Sequence, residues 1–349
     1  MKSSPVGFEE RPRGLAALRL QAGSIPFRLK RSAPQTERIE CAECSSSSAE
    51  YGRNDPPAGC EGIAQALTKP FDVEKMQTEQ RKTPCRLRVG TSGYSYAEWV
   101  NAGFYPPGTR SDQMLPLYAQ TFPITELNFT WYQMPKAAVI ERLRQRAPSG
   151  FRFAAKLTRT LTHEVDPSQW RGQVSRYRDG MAPLTQARQL TAVLLQFPPS
   201  FSRAPKNRHY LAALLDELAG LPLAVEFRHA SWATDRVFDE LQRRRTTLVA
   251  VDEPNLPGLF PQLDIVTNPD LFYVRFHGRN ARGWRSGNMQ MQFDYDYSNE
   301  ELRGWADKII TPMTRQTGSG VIFFNNHVRA QAPKNARRLI SQLIEKGLL

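Results

Sequence analysis

The sequence predicts a single (β/α)8 barrel of the TIM type behind a disordered leader, and three observations lead there. Eight short apolar runs recur between Leu87 and Asn326, helical patterns separate them, and each run ends in polar or charged residues. Near-continuous apolar strands alternating with helices indicate a parallel sheet covered on both faces. Eight such units close into a barrel whose functional face lies where the strands end. The segment from about Cys85 to Leu349 also approaches the ~250 residues usual for one barrel.

The runs are Leu87–Val89, Ile124–Phe129, Phe151–Ala155, Ala192–Phe197, Leu223–Phe227, Thr247–Val251, Leu271–Phe276 and Gly320–Phe324. Thr91 and Ser92 follow the first. Asn128, Lys156, Gln196, Arg228 with His229, Asp252, His277, and Asn325 with Asn326 mark the other seven ends. Ser111 is an N-cap candidate for a helix over 112–122, and Thr234 for one over 235–244, where Val237, Phe238 and Leu241 share a face. Ser298 and Glu301 form a capping box before a helix over 302–313. Pro333 opens the last helix, with Leu339, Ile340, Leu343 and Ile344 as its buried stripe. Between Asp252 and Leu271, Pro254, Pro257, Pro261 and Pro269 preclude a covering helix. A long loop is expected there as a lid or wall of the site.

Residues 1–82 read as a leader. They combine Ser45–Ser48, scattered Pro and Gly and charges of both signs without a sustained period, a composition that cannot bury enough apolar surface to order itself. Cys41 and Cys44 form one CxxC, but Cys60 and Cys85 lack the tight spacing of a second chelating pair. An over-extended start, with Met76 as the alternative first residue, fits the same pattern.

Composition bounds the function. The chain is 40% hydrophobic with mean hydropathy −0.52. It has no stretch approaching the ~20 apolar residues of a membrane span, and no apolar core of a signal peptide. Four cysteines in 349 residues fit a reducing cytoplasm. Net charge is +13; residues 1–82 hold 13 Lys/Arg against 11 Asp/Glu, leaving 34 against 23, or +11, for the barrel. A basic barrel suits an anionic small molecule or nucleic acid. Oligomeric state is left open.

Strand alternation places Glu126, Asn128 and Thr130 on one face of strand two, and Glu226 with Arg228 on one face of strand five. Gln196, Asp252, Arg275, His277 and Lys156 are expected to join them inside the barrel. Converging carboxylates and cations point to acid/base work by Glu126, Glu226 or Asp252, with Lys156 or His277 stabilising negative charge. A mutually satisfied ion layer closing the barrel is the structural alternative. After strand seven, Arg275, His277, Gly278, Arg279, Arg282, Gly283, Trp284, Arg285, Ser286 and Gly287 offer guanidinium forks and approachable backbone NH groups, which suit phosphate. Tyr96, Trp99, Trp131, Tyr132, Trp232 and Trp284 lie in strand-following loops, where aromatics stack on bases or sugars or else pack the loops themselves. His163, His229 and His277 also fall near strand ends. No HxH or HExxH pair accompanies them, so no tightly bound transition metal is expected. Other cofactors are left unassigned.

GTSGYSYAEW (90–99), FYPPG (104–108), TELNFTWYQMP (125–135), FRFAAKLTRTLTHE (151–164), LLQFPPSF (194–201), EFRHASW (226–232), YVRFHGR (273–279) and FFNNHVRAQAPKNARRL (323–339) resemble the signature blocks of the YecE-like family, domain of unknown function 72. The resemblance covers about residues 85–349. Tyr94 stands where relatives more often carry Trp. What the resemblance implies is a TIM-type barrel and no established activity.

Three function classes follow. The first is a pocket that binds or acts on a phosphorylated sugar- or nucleotide-like anion by carboxylate acid/base chemistry. The second is a nucleic-acid-binding barrel without turnover. The third is a metal-dependent phosphodiesterase or isomerase of the endonuclease IV or xylose isomerase barrel type.

Overall fold

The structure, a computed structural model, describes residues 84–349. The leader, with Cys41, Cys44, Cys60 and Met76, lies outside the described residues. Eight parallel strands close in sequence order into one barrel: β1 (Arg86–Ser92), β2 (Ile124–Leu127), β3 (Arg152–Lys156), β4 (Leu190–Gln196), β5 (Leu223–Glu226), β6 (Thr247–Asp252), β7 (Phe272–Phe276) and β8 (Ser319–Phe324). Covering helices alternate with them: α1 (Ser111–Ala119), α2 (Ala137–Gln145), α3 (Trp170–Gln186), α4 (Pro205–Glu217), α5 (Asp235–Arg243), α6 (Asn299–Trp305) and α7 (Gln331–Glu345).

The strands are apolar throughout because both faces are covered. Val193, Val225, Val274 and Ile322 are fully buried, each such side chain contributing about 1.5–3 kcal/mol over exposure. At Gly90 an added Cβ would stand 2.1 Å from the Ile124 carbonyl oxygen, so only glycine lets β1 approach β2 so closely there.

Several helix ends depart from expectation. Ser111 is already helical, and the turn before it is closed by Gln113 Oε1, which accepts from the Arg110 NH at 2.9 Å. Thr234 does precede α5, but its side chain caps nothing. The Ser298–Glu301 capping box forms reciprocally, at 3.2 and 2.9 Å. The helix it opens passes into a π-helical turn at Ala306–Ile310, with Pro312 beyond. The last helix starts at Gln331; Leu339 and Leu343 are buried, while Ile344 is exposed.

No helix joins β6 to β7. The proline-rich chain runs extended instead, and Thr267 pins it to the start of β6 by accepting from the Leu248 NH and donating to the Thr246 carbonyl. Its upper part crosses the end of β5, where the Phe260 NH donates to the Arg228 carbonyl at 3.0 Å.

Register fixes what faces the barrel axis, because Cα partners on parallel strands share a face. Ser92 pairs with Glu126, Glu126 with Ala154, Lys156 with Leu194, and Gln196 with Glu226. On the far wall Val249 pairs with Tyr273 and Val251 with Arg275. Glu126, Lys156, Gln196, Glu226 and Arg275 therefore all point inward.

Candidate functional site

Arg275 is the hub. Its Nη2 donates to Glu126 Oε1 and its Nη1 to Glu226 Oε2, both at 2.7 Å, and Nη2 also reaches Ser92 Oγ at 3.2 Å. Tyr273 OH donates to the other Glu126 oxygen at 2.5 Å. Glu226 Oε1 faces Arg228 Nη2 at 2.6 Å, and Arg228 Nη1 donates to Glu253 Oε2 at 2.5 Å. The five charged side chains form one chain, Glu126–Arg275–Glu226–Arg228–Glu253, with every link buried.

Burial works against each of these charges, so the pairing decides their state. Burial alone would raise the Glu226 carboxyl, but Arg228 and Arg275 outweigh it and hold the group well below the usual carboxylate range. Burial works against the Arg275 guanidinium too, and Glu126 and Glu226 keep it charged. Glu253, at the outer end, shares Arg228 with Glu226, and burial pushes its carboxyl up to about 7. His277 is also buried here. Burial first and Arg228 second depress it to about 3, so the imidazole is neutral. Arg228 Nη2 lies 2.9 Å from Nε2, and a guanidinium can only donate. Glu226 Oε1 is the acceptor near Nε2, at 3.2 Å, and the Asn325 amide nitrogen lies 3.1 Å from Nδ1.

Lys156 is different. It is half-buried at the end of β3, and among the described residues it makes no ion pair or side-chain hydrogen bond. Its Nζ lies 4.8 Å from the centre of the Trp131 ring. Burial and then Arg275 depress the amine to about 7, while Glu226 and Glu126 pull the other way. His163 packs edge-on to the same indole, 5.0 Å between centroids, and burial with Lys156 beside it lowers the ring to about 4. The Trp131 and Trp284 indole NH groups are buried without an acceptor, and Trp284 covers Arg228 at 5.0 Å. Asn128 bonds the Tyr96 hydroxyl, which also donates to the Ser92 carbonyl. Gln196 donates to the Phe197 carbonyl beside Glu226.

Several residues read from the sequence as one site do not converge. Asp252 pairs in register with Phe276, whose ring packs on Tyr297 and Trp305 in the covering layer, so it points outward rather than inward. There it accepts from Tyr297 OH at 2.7 Å, from Trp305 Nε1 and from Arg279. Arg279 is held by Asp252 and Glu301, and Arg285 is exposed. The expected phosphate clamp of Arg275, Arg279 and Arg285 is therefore not assembled, since two members are saturated by carboxylates.

His229 accepts from the Ser231 NH and orders the loop after β5. Trp232 stacks on Phe227 and Phe201 in the outer core. Trp99 is fully buried and donates to the His327 carbonyl. Asn326 ties the end of β8 to Tyr295 and to Asn335 of α7. Asn128 and Thr130 lie beyond β2, which ends at Leu127; a short helix, Phe129–Tyr132, begins there.

The residues missed by sequence reasoning are Glu253 and Tyr273. Tyr273 was hidden in an apolar run, although its position two before Arg275 gives it the same inward face. Glu253 sits one residue past the polar end of the sixth run, where the face was assigned one position too early. His327 stacks on Tyr96 at 4.8 Å and meets Glu98 at 3.2 Å on the rim. Among the described residues no group of three or more His, Cys, Asp or Glu side chains is placed to hold a metal ion.

Residues 88–348 match the family described as a protein of unknown function, DUF72. The UPF0759 protein YunF of Bacillus subtilis is 27% identical over 271 residues, 74% of this chain and 94% of YunF. The UPF0759 protein YecE of Escherichia coli K12 is 30% identical over 144 residues, 41% of this chain and 48% of YecE. Among solved structures, a DUF72 family protein from Thermotoga maritima superposes with a TM-score of 0.67 at 34% identity, over 74% of this chain and 99% of that one. One from Enterococcus faecalis gives a TM-score of 0.67 at 26% identity, over 74% and 95%. From its matched length and its closed barrel, the chain belongs to the DUF72 family.

Proposed function

We propose that the strand-end pocket binds a small anionic metabolite of the sugar-phosphate or nucleotide kind, and that Lys156 moves protons for work done on it. One observation carries this reading: among the described residues Lys156 is an inward-facing amine with no carboxylate in ion-pair contact. The buried, unpartnered NH groups of Trp131 and Trp284 favour a ligand rich in acceptors. Arg282 and Arg285, exposed on the short helix Ala281–Ser286 that also carries Trp284, add positive charge near the rim. Proton transfer by Glu126 or Glu226 is disfavoured because both oxygens of each are committed to Arg275, Arg228 or Tyr273. An amine poised near neutrality is better matched to the task.

The test is a thermal-shift screen of phosphorylated metabolites and oligonucleotides at low and moderate salt. A pocket ligand raises Tm at both salt concentrations and loses its effect in Lys156→Ala. Stabilisation by oligonucleotides that collapses with salt and ignores Lys156→Ala refutes the reading in favour of surface nucleic-acid binding.

A further inference from the structure

We propose that Lys156 is a nucleophile that forms an imine with the aldehyde or ketone group of a small anionic compound, which deepens the proposed pocket reading and rests on it.

The first requirement is an unpaired amine. A lysine that serves structure inside a barrel is paired, yet Lys156 faces the axis at the top of β3 with no carboxylate on its amine. Its neighbours include two guanidiniums, Arg275 and Arg228, which disfavour a further positive charge, and one face of the Trp131 indole, which excludes water from one side. Desolvation next to fixed cations is how a lysine is made nucleophilic at neutral pH. With the amine near 7, on the order of a thousandfold more free base is present at pH 7 than for an ordinary lysine near 10.5.

The second requirement is a proton carrier beside the amine. His163 shares Trp131 with Lys156. Its Nδ1 lies 2.8 Å from Thr162 Oγ1, whose hydroxyl hydrogen is directed at the Thr158 carbonyl. Burial keeps the His163 ring neutral, so one of its nitrogens is an unprotonated base. The chemistry balances without another reagent. The Lys156 nitrogen adds to the carbonyl carbon, the C=O π pair becomes a hydroxyl, and His163 carries one amine proton to that oxygen. The second amine proton leaves with the hydroxyl as water, which gives C=N. The anionic group lowers the local positive charge and compensates for the cation lost when the amine is consumed.

The experiment uses the full chain and two probes, pyruvate and dihydroxyacetone phosphate, at pH 7.5. Sodium borohydride reduces any imine to a stable secondary amine, and peptide mass spectrometry finds the lysine that carries it. The expected result is an adduct from at least one probe on Lys156, at least tenfold above that on exposed lysines such as Lys136, Lys206 and Lys334. His163→Asn slows its formation without moving it to another residue. Adducts spread evenly over surface lysines, or an unaffected rate in His163→Asn together with labelling elsewhere, overturn the proposal. Thermal shift with the same probes separates the two readings. A probe that raises Tm without labelling Lys156 sinks the imine and leaves the pocket standing. No shift and no adduct with either probe, alongside a screen with no other ligand, sinks both.

Discussion

Replacing Lys156 with Met makes the protein more stable below neutral pH than it is with lysine. An ordinary lysine loses its proton near 10.5, whereas Lys156 loses it near 7 because of burial and Arg275. At about 1.4 kcal/mol per pH unit, the charged amine costs the fold at most ~5 kcal/mol.

The sign follows from proton counting. Between pH 7 and 10.5 the unfolded chain keeps the proton and the folded one does not, so wild-type stability rises with pH across that window. Below pH 7 both states are protonated and the penalty is constant. Lys156→Met, which keeps the length of the stem and a favourable sulfur contact with Trp131, lacks this slope. Urea unfolding at pH 6, 7.5 and 9 reads the difference. The variant should lead by up to ~5 kcal/mol at pH 6, keep roughly 2 kcal/mol of that at pH 9 and lose the rest only near pH 10.5. A constant gap, or a wild type that is the more stable at pH 6, refutes the description of Lys156 as an unpaired, desolvated amine.

Arg275→Met leaves Glu126 and Glu226 buried without their shared cation and should cost about 3–5 kcal/mol in urea unfolding, part of it recovered by adding Glu126→Gln. Asp252→Asn weakens three bonds to Arg279, Tyr297 and Trp305; a loss of roughly 1.5–3 kcal/mol is expected. Because Asp252 faces the covering layer, ligand-induced thermal shifts should survive that change, and their loss would place it in the pocket after all. His277, depressed to about 3 by burial and Arg228, stays neutral when folded but takes a proton below 6.5 when unfolded. Wild-type stability therefore falls as pH drops from 6.5 towards 3, and His277→Asn should show a shallower acid limb in the same window.

Sequence pattern carried the barrel because its signal is redundant: eight apolar runs each report the same architecture, and no single misplaced end matters. It carried much of the inward face as well, since Glu126, Gln196, Glu226, Arg228, Arg275 and His277 fall on alternating positions of their strands. Asp252 shows where this runs out. Every residue from Thr247 to Asp252 is buried on one face or the other, so period two is invisible in β6. Only the register with β7 shows that Val249, Val251 and Glu253 are the inward set. Saturation was hidden for a related reason. Arg279 and Asp252 are 27 residues apart in sequence, and no local pattern says that one consumes the other. Lys156 looked like one more cation among several; its distinction is the absence of a partner, which is a property of the assembled site.

The missing helix between β6 and β7 makes the barrel uneven in its resistance to opening. Elsewhere each strand is shielded by a helix whose amides protect one another, but here an extended chain is held by a few side-chain bonds near Thr267 and by the Phe260 amide. Amides of this sector should exchange with solvent through local opening well before the rest of the barrel does. Glu253 is the first residue of that connector, and it holds Arg228. Breathing of the thin wall thus unclamps one end of the buried charge chain, and the guanidinium that faces Glu226 on one side is left without its second anchor. The sector of the barrel with the least cover is also the one that holds the outer end of the buried charge chain.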